Sequence, residues 1–537
     1  MSGILLASIG VLILITGYFT YGRLAGRIFG VSSDNPTPAF SRRDGVDYVP
    51  AKGWLVLFGH HFSSIAGAGP IVGPIIAIMT WGWAPAIAWV ILGTIFAGGV
   101  HDFGSLMVSL RREGTSISDA SEAMISRWAK IMFSLFVLLA LLLVVAVFAV
   151  LAAESMVTVK GVIPPAVGLI PVAVLVGFLL YRTKTPSWLG TLIGLACLFG
   201  LLLLGAAWRF PTGPVWAWTA GLLVYAYIAS VTPVQYLLQP RDYLSAFLLF
   251  AGLIMGYLGV FLSRPEIAAP AFTGFLPKGS PLWPMLFVTV ACGAISGFHS
   301  LIASGTTSKQ LASEAHAQRI GYGAMVAEGL LSVMVIVMVG AIGSGLSGNP
   351  INIFGRAYDL SLPFLGGYGG IFGVIILNAF ILTTLDTATR IGRYIFSELT
   401  GIRNRWIATA IVIAPSAALA FTGSWKVIWP LFGSANQLTA ALALLVITSW
   451  LLSRKKPCYI TLIPAIFMLI TTIGALLWQA WNLSCGLGRH PAMNSVLLLI
   501  TLSLLGLSVA MSAITIASWA RRRGQQCFKI PERRKSS

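Results

Sequence analysis

The chain has 537 residues, of which 57% are hydrophobic and only 9% are charged. Soluble globular proteins carry about 25% charged residues, so this composition excludes an ordinary soluble domain. A net charge of +19 would suit a nucleic-acid-binding protein, but the placement of the basic residues described below argues against that partner. The five cysteines are scattered singly, which excludes a disulfide framework and a metal knuckle.

Apolar segments long enough to cross a bilayer recur along the whole chain. A membrane-spanning helix needs about 20 apolar residues, and about fifteen such segments fit between Met1 and Ala520. Barrel strands would alternate between apolar and polar residues, whereas the longest segments here are apolar on all sides. We therefore predict an all-α integral membrane protein. Its spans are expected to begin near Ile4, Trp54, Pro85, Ile131, Ala166, Trp188, Ala220, Tyr243, Trp283, Gly323, Gly367, Trp406, Val427, Ile460 and Ser495.

The basic residues are distributed unevenly between the two sides of the membrane. Roughly 28 of the 35 Lys and Arg residues fall in alternate connections, which the positive-inside rule assigns to the cytoplasm. The excess charge therefore predicts topology, with a periplasmic N-terminus and a cytoplasmic C-terminus in a bacterial inner membrane. The first span lacks a basic leader and a cleavage site, so we interpret it as a retained helix.

The second span contains residues that are poorly suited to a continuous helix. Between Gly59 and Pro74 the sequence reads GHHFSSIAGAGPIVGP. In a helix interior each Gly is about 1 kcal/mol and each Pro about 3 kcal/mol less favourable than Ala. An interrupted helix is tolerated in lipid only where its freed peptide groups face protein or a cavity, so the break predicts a binding site. The alternative is a small-residue packing face.

Two further polar segments suggest an inverted repeat. We expect a second interruption at 229–243, and a third polar helix covers 291–307. Two broken helices of opposite direction fit two inverted halves, with five spans over 54–207 and five over 220–392. A short match between 61–67 and 299–305 leaves another register open. The predicted units are residues 1–53, 54–210, 211–400, 401–520 with four accessory spans, and the basic tail 521–537.

Four long motifs stand out along the chain: Gly59 to Pro74, QPRDY at 239–243, ACGAISGFH at 291–299 and TTLDTATR at 383–390. These stretches closely resemble the carbon starvation protein A family. The resemblance implies a carrier for peptides, or for pyruvate by proton symport, in bacteria short of carbon. It also implies the LeuT-type five-plus-five bundle of the amino acid, polyamine and organocation superfamily, here with one extra N-terminal and about four extra C-terminal helices.

Charged side chains inside the spans need a reason, because each is unfavourable by about 2.5 to 3.5 kcal/mol at mid-membrane. Asp102 and Glu328 have no partner within one helical turn, so we predict a proton-coupling role for them. Asp386 and Arg390 are four residues apart and could form an ion pair on one helix, with a gating or a purely structural role.

The remaining candidates surround the interrupted helix. His60 and His61 should point about 100° apart, so they cannot face one cavity unless the backbone opens there. The predicted substrate-binding residues are His60, His61, Ser64, Gly67, Gly69, Pro70, Gln235 and His299. The predicted coupling-ion residues beside Asp102 and Glu328 are Ala66, Ser304, Thr306 and Thr307, whose oxygens would also suit sodium. The buried amides Asn436 and Gln437 rank lowest as ligands.

These observations favour a symporter that takes up peptides or small carboxylates with a proton, or with sodium, and needs no other cofactor. One alternative is an intramembrane metalloenzyme using His60, His61 and His299, although no His-Glu-x-x-His motif is present. Another is a channel or nutrient sensor. The identity of the substrate and the oligomeric state stay open.

Overall fold

The computed structural model describes residues 1–183, 185–207, 213–343, 347–422, 425–486 and 491–527. The only β pairing among these residues is an isolated bridge between Ser2 and Glu266. Twelve helices in the described part are long and apolar enough to cross a membrane, and two further apolar helices are shorter. The all-helical, multi-pass class is thereby confirmed, while the total of about fifteen spans stays a prediction.

The helices follow one another with short connections. Two π-helical turns, Tyr18–Gly22 and Thr94–Gly98, join α1 to α2 and α6 to α7. In chain order the helices are α1 Gly3–Gly17, α2 Arg23–Phe29, α3 Pro38–Ser41, α4 Trp54–Ala66, α5 Gly69–Trp81, α6 Trp83–Gly93, α7 Gly99–Leu110, α8 Ile117–Met124, α9 Arg127–Thr158, α10 Ile163–Arg182, α11 Ser187–Ala207, α12 Val215–Val231, α13 Leu238–Ser263, α14 Leu282–Thr289, α15 Ala291–Ala294, α16 Gly297–Gly305, α17 Ala317–Gly340, α18 Pro350–Ser361, α19 Tyr368–Thr400, α20 Arg405–Thr422, α21 Trp425–Ser453, α22 Tyr459–Cys485 and α23 Pro491–Cys527.

The packing divides these helices into an inner group and a surrounding frame. Helices α4 to α7 contact α14 to α17, while α9, α12, α19 and α20 all pack against one another. Helix α13 lies between the two groups, against α4 and α19. Burial follows this arrangement, since 89% of the most apolar window of Trp54–Trp81 is buried but only 22% of that of Ser187–Ala207. The hairpin α10–α11 is therefore peripheral, and the α4–α5 helix is central.

The predicted break in the second span is confirmed. Helix α4 ends at Ala66, Gly67 adopts φ 52° and ψ −151°, and α5 begins at Gly69. That backbone conformation is accessible essentially only to glycine. Pro70 follows in the first turn of α5, where its missing N–H removes no helical hydrogen bond. The chain therefore leaves the helix inside the protein and resumes it two residues later.

The predicted interruption at 229–243 is wrong. Helices α12 and α13 are separate, and residues 232–237 simply connect them. Pro233 follows the end of α12, and Pro240 lies in the first turn of α13. Prolines at those positions mark helix ends and do not interrupt a helix.

The second broken helix is instead the predicted third polar helix, α14 to α16. Its backbone is extended at Ile295 and Ser296, although both residues are buried. No proline marks this break, and glycines 293 and 297 flank it.

The predicted basic tail 521–537 is described only in part. Helix α23 continues to Cys527, and residues 528–537 lie outside the described part of the chain. Lys184, Arg209 and Arg489, which contribute to the charge count above, also lie outside it.

Candidate functional site

The two broken helices pack directly against each other at their breaks. A Cβ atom placed on Gly69 would lie 2.1 Å from Cβ of Cys292, and one on Gly73 would lie 2.6 Å from the carbonyl oxygen of Thr289. Only glycine permits so close an approach. The glycines of the GHHF to GP stretch therefore bring two sets of freed peptide groups together in the protein interior.

Side chains of α19 satisfy the carbonyls at the end of α4. Thr383 Oγ1 donates to the carbonyl oxygen of Ser63 at 2.6 Å, and Thr384 Oγ1 donates to that of Ser64 at 2.9 Å. Both threonines belong to the TTLDTATR stretch, but sequence reasoning did not identify them as site residues. Their role depends on contacts across 320 residues of chain.

Asn436 of α21 forms hydrogen bonds to the polar groups at the second break. Its Oδ1 accepts from the backbone N–H of Phe298 at 2.9 Å and from Ser296 Oγ at 3.1 Å. Its Nδ2 donates to Cys292 Sγ at 3.1 Å. Asn436, ranked among the least promising residues in the sequence, thus caps the N-terminus of α16.

Four buried titratable side chains meet beside the breaks, and we call them the acid–histidine cluster. His61 Nε2 lies 3.0 Å from Asp102 Oδ2, and His299 Nε2 lies 3.1 Å from Glu328 Oε2. His299 Nδ1 is 3.8 Å from Asp102 Oδ2, which links the two pairs. All four side chains are fully buried. Asp102 and Glu328 therefore find their partners on other helices.

Hydrogen bonding in this cluster is incomplete. Among the described residues, neither carboxylate oxygen of Glu328 and neither ring nitrogen of His299 has a partner in hydrogen-bond geometry, despite the 3.1 Å approach. Both ring nitrogens of the neighbouring buried His101 also lack a partner in this part of the chain. Polar groups that are buried and unpaired are strongly unfavourable unless a proton, water or ligand satisfies them. Two carboxyls and two imidazoles in contact are suited to exchanging protons.

A second buried group lies on the other side of α4, and we call it the arginine cluster: His60, Arg241, Asp242, Asp386 and Tyr225. His60 Nδ1 lies 2.6 Å from Asp242 Oδ2. Arg241 donates to Asp242 at 2.7 Å and to Asp386 Oδ1 at 3.0 Å. Tyr225 completes the group with a 3.0 Å bond to Asp386. The adjacent histidines thus serve different clusters, which confirms that they diverge.

The predicted pair of Asp386 and Arg390 is wrong. Asp386 bonds to Arg241, whereas Arg390 turns towards Asp47, 3.3 Å away in the connection before α4. Asp47 also accepts from Tyr394 at 2.5 Å. Spacing on one helix predicted a local pair, but each side chain finds a partner from a distant segment.

Asp47 belongs to a segment that we call the N-terminal strap, residues 44–52. The strap carbonyl of Val46 accepts from the N–H of Val234 at 3.2 Å, and the strap N–H of Ala51 donates to Gln310 at 3.0 Å. Burial alone would raise the pKa of Asp47. Its effect is outweighed by the neighbouring charges of Arg390, Arg393 and Lys309 and by the hydrogen bond from Tyr394, so the pKa lies below its usual value. The strap ties α19, the α12–α13 connection and the segment after α16 at one membrane face.

The predicted cation-binding hydroxyls all take part in hydrogen bonds within the protein. Ser304 Oγ donates to the carbonyl of Ser300 at 2.6 Å and accepts from the N–H of Ile117 at 3.0 Å. Thr306 lies 3.2 Å from His60, and Thr307 lies 2.8 Å from His61. These hydroxyls therefore support helices and histidines, and a sodium site built from them with Ala66 stays a prediction.

The other predicted substrate residues divide between the site and its surroundings. Ser64 Oγ donates to Asp242 at 3.4 Å, which places it in contact with the arginine cluster. The Pro70 carbonyl accepts from Ser332 at 3.1 Å, next to the break. Gln235 is only half-buried in the α12–α13 connection and donates to the carbonyl of Gly45 at 2.9 Å, so its prediction as a buried ligand is wrong. Gln437 Nε2 donates to Met468 Sδ at 3.0 Å.

Within the described residues, no group of three His, Cys, Asp or Glu side chains is arranged to hold a metal ion. His60 and His61 lie in different clusters, each bonded to its own aspartate. The three histidines of the metalloenzyme hypothesis are therefore not assembled as a common ligand set.

Comparison with known proteins relates this architecture to transporters. The family model described as carbon starvation protein CstA matches residues 2–356 and 362–475. The peptide transporter CstA of Bacillus subtilis strain 168 is 31% identical over 97% of this chain and 98% of its own length. The pyruvate/proton symporter BtsT of Escherichia coli strain K12 is 30% identical over 88% of this chain and 81% of its own.

Solved structures give a more distant likeness. A manganese transporter of Eremococcus coleocola, in complex with an aromatic bis-isothiourea substituted compound, superposes with a TM-score of 0.55 over 90% of this chain and 99% of its own, at 14% identity. An identity that low shows a common fold alone. The match to the family model, by contrast, covers most of the chain. This multi-pass membrane protein therefore belongs to the carbon starvation protein CstA family.

Proposed function

We propose that the protein is a secondary active transporter that takes up a short peptide or a small carboxylate such as pyruvate together with a proton. The observation that carries the proposal is the acid–histidine cluster, which lies fully buried beside two helices broken at the same place. Ionisable groups at such depth in a membrane protein mark substrate and proton pathways. The names of the relatives, peptide transporter and pyruvate/proton symporter, support the same two substrate classes.

The substrate is expected at the paired breaks. There the ends of α4, α5 and α16 meet, as helix ends do in transporters with discontinuous helices. Ser64 and His60 connect this position to Arg241, the one guanidinium of the arginine cluster. Arginine binds carboxylates in a planar fork, which suits either substrate class.

Proton coupling is assigned to Asp102, His299 and Glu328. A proton that enters this group changes the charge on Asp102 and hence its bond to His61 of α4. Because His61 lies less than two turns before the break, protonation alters the support of the half-helix that holds the substrate. Coupling through one half-helix requires no metal and no other cofactor.

The fold is proposed to be the LeuT-type inverted repeat in a register different from the one suggested by the sequence. Helices α4–α5 and α14–α16 become the first members of repeats 54–263 and 282–453. The hairpin α10–α11 is then an insertion, and α1–α2, α22 and α23 are accessory. This register makes α4–α7 with α14–α17 a moving bundle, and α9, α12, α19 and α20 a frame, in keeping with their contacts.

Uptake into proteoliposomes tests the function. Vesicles containing the purified protein should accumulate labelled pyruvate or a labelled dipeptide when an inward proton gradient is imposed, and a protonophore should abolish accumulation. Uptake that proceeds only to equilibrium, with unitary currents, would instead establish a channel. Failure to accumulate either class of solute under a proton or a sodium gradient would refute the proposal.

A further inference from the structure

A lipid-facing groove separates three helices on the outside of the frame. Its apolar walls come from α9, α20 and α23, through side chains that include Leu135, Leu142, Ile411 and Leu507. The free volume is about 520 Å³, within the range of about 300 to 1,000 Å³ that is common for ligand pockets. A cleft of this size in a membrane protein holds an acyl chain or is covered by another helix.

Each of the three walls carries an arginine at the same membrane face. Helix α9 begins at Arg127, α20 begins at Arg405 two residues after Arg403, and α23 carries Arg521 near its end. A hydrogen bond from Ser518 Oγ to the carbonyl of Ile125, 3.3 Å long, places the end of α23 beside the start of α9.

Three of these arginines have no acidic partner. Arg403, Arg405 and Arg521 form no salt bridge within the described part of the chain. Asp119 and Glu122 are paired with Lys130, at 2.5 and 2.8 Å, and Arg127 also lies close enough to Glu122 to lower the pKa of that carboxyl. The charges of Lys130 and Arg127 are thus balanced by two acids, whereas the positive charge of the other three arginines is left over at the open end of the apolar groove.

The depth of the groove matches a phospholipid. Leu135 lies eight residues after Arg127, Ile411 lies six after Arg405, and Leu507 lies fourteen before Arg521. The apolar lining is therefore about 9 to 21 Å further into the bilayer than the arginines, which is within the reach of an acyl chain. Trp128 and Trp406, 66% and 49% exposed, mark the interface at the level of the arginines, as interfacial tryptophans do.

We propose that this groove binds an anionic glycerophospholipid, with an acyl chain between α9, α20 and α23 and the phosphate at Arg403, Arg405 and Arg521. The surplus of unpaired arginines argues for an anionic lipid and against a second copy of the chain, which would bring its own arginines to the same face. This inference is independent of the transported substrate.

Native mass spectrometry of the full-length protein from nanodiscs of mixed phosphatidylglycerol and phosphatidylethanolamine tests it. We expect one retained phosphatidylglycerol, and Arg403→Gln with Arg405→Gln should lower its retention by about 25-fold, the factor expected for two cations at an anionic surface. Leu507→Trp, which fills the groove without changing charge, should also displace the lipid.

The control is Lys160→Gln with Arg356→Gln, which removes two exposed positive charges elsewhere and should leave retention unchanged. Equal retention of both lipids, equal loss in both double variants, or a lipid-free dimer that Leu507→Trp dissociates would each overturn the proposal. None of these measurements depends on transport. Failure of the lipid proposal is therefore distinguishable from failure of the proposed function.

Discussion

At the scale of single residues, the neighbouring histidines show what a sequence can and cannot reveal. Helical geometry predicts that His60 and His61 diverge, because consecutive residues lie about 100° apart. The same geometry does not reveal their partners, since Asp102 is 41 residues from His61 and Asp242 is 182 residues from His60. Candidate residues could therefore be chosen by type and depth, but not grouped into clusters.

Asp102 provides the sharpest test of coupling. Asp102→Asn removes the titratable group that contacts both His61 and His299, so proton-driven accumulation should fall at least about tenfold, in line with the loss of one buried charged hydrogen bond. Exchange of internal for external substrate, which needs no net proton movement, should persist. Asp34→Asn, an exposed acid in the connection after α2, is the control. Accumulation at the normal level in Asp102→Asn would contradict the assignment.

Asp47 gives a prediction about pH. Because its pKa is held below the usual value of about 3.9, its charged form stabilises the strap at all higher pH values, and this contribution is lost only as the pH falls through the lowered pKa. Hydrogen exchange at Val234, corrected for intrinsic rates, should therefore be equally slow from pH 8 to pH 5. Asp47→Asn should speed it at least about tenfold, because the ion pairs with Arg390 and Arg393 are lost.

The matched comparison for the strap is again Asp34→Asn, which should leave exchange at Val234 slow. Protection that declines progressively between pH 8 and pH 5, or that survives Asp47→Asn, would show that the strap does not depend on this carboxylate.

At the scale of helices, the two breaks differ in how visible they are. Gly67, Gly69, Pro70 and Pro74 disfavour a helix by intrinsic propensity, so the first break follows from composition. The break at Ile295 and Ser296 is imposed by packing, since Asn436, from a helix about 140 residues away, accepts from the Ser296 hydroxyl and from the N–H of Phe298. Pro233 and Pro240 led to the opposite error, a predicted interruption where the structure has the ends of two helices. Composition alone does not distinguish a helix end from an interruption.

Gly67→Ala should damage the first break. A side chain there must adopt the glycine-only conformation, and its Cβ would lie 2.9 Å from Phe148 and 3.1 Å from Thr384. Strain of this kind amounts to about 1 to 3 kcal/mol, so we expect a lower melting temperature and loss of substrate uptake.

Gly221→Ala is the control, since nothing lies within 4 Å of its added Cβ and α12 is regular there. Its stability should be unchanged or higher by up to about 1 kcal/mol. Equal behaviour of the two variants would mean that the break does not require glycine.

At the scale of the whole molecule, hydropathy predicts the class of the protein because the bilayer demands about 20 apolar residues from every span. It does not distinguish a central helix from a peripheral one, and so the peripheral hairpin α10–α11 was counted among the five spans of the first half. The second half was placed on a predicted interruption at 229–243, where the structure has a connection between α12 and α13. Only contacts between distant helices separate the inner group from the frame.

Topology across the membrane can be tested with cysteines that the chain already has. Helix α22 carries Cys458 just before its start, among basic residues, and Cys485 at its exposed end. The positive-inside rule assigns the first end to the cytoplasm, so a membrane-impermeant maleimide added to intact cells should label Cys485.

Cys292 is buried and Cys197 lies within α11, which leaves Cys485 as the accessible thiol on that side among the described residues. Cys485→Ser should therefore abolish labelling, whereas Cys458→Ser should not change it. Labelling that persists in Cys485→Ser, through Cys458 or Cys527, would reverse the orientation, and with it the direction in which the strap faces.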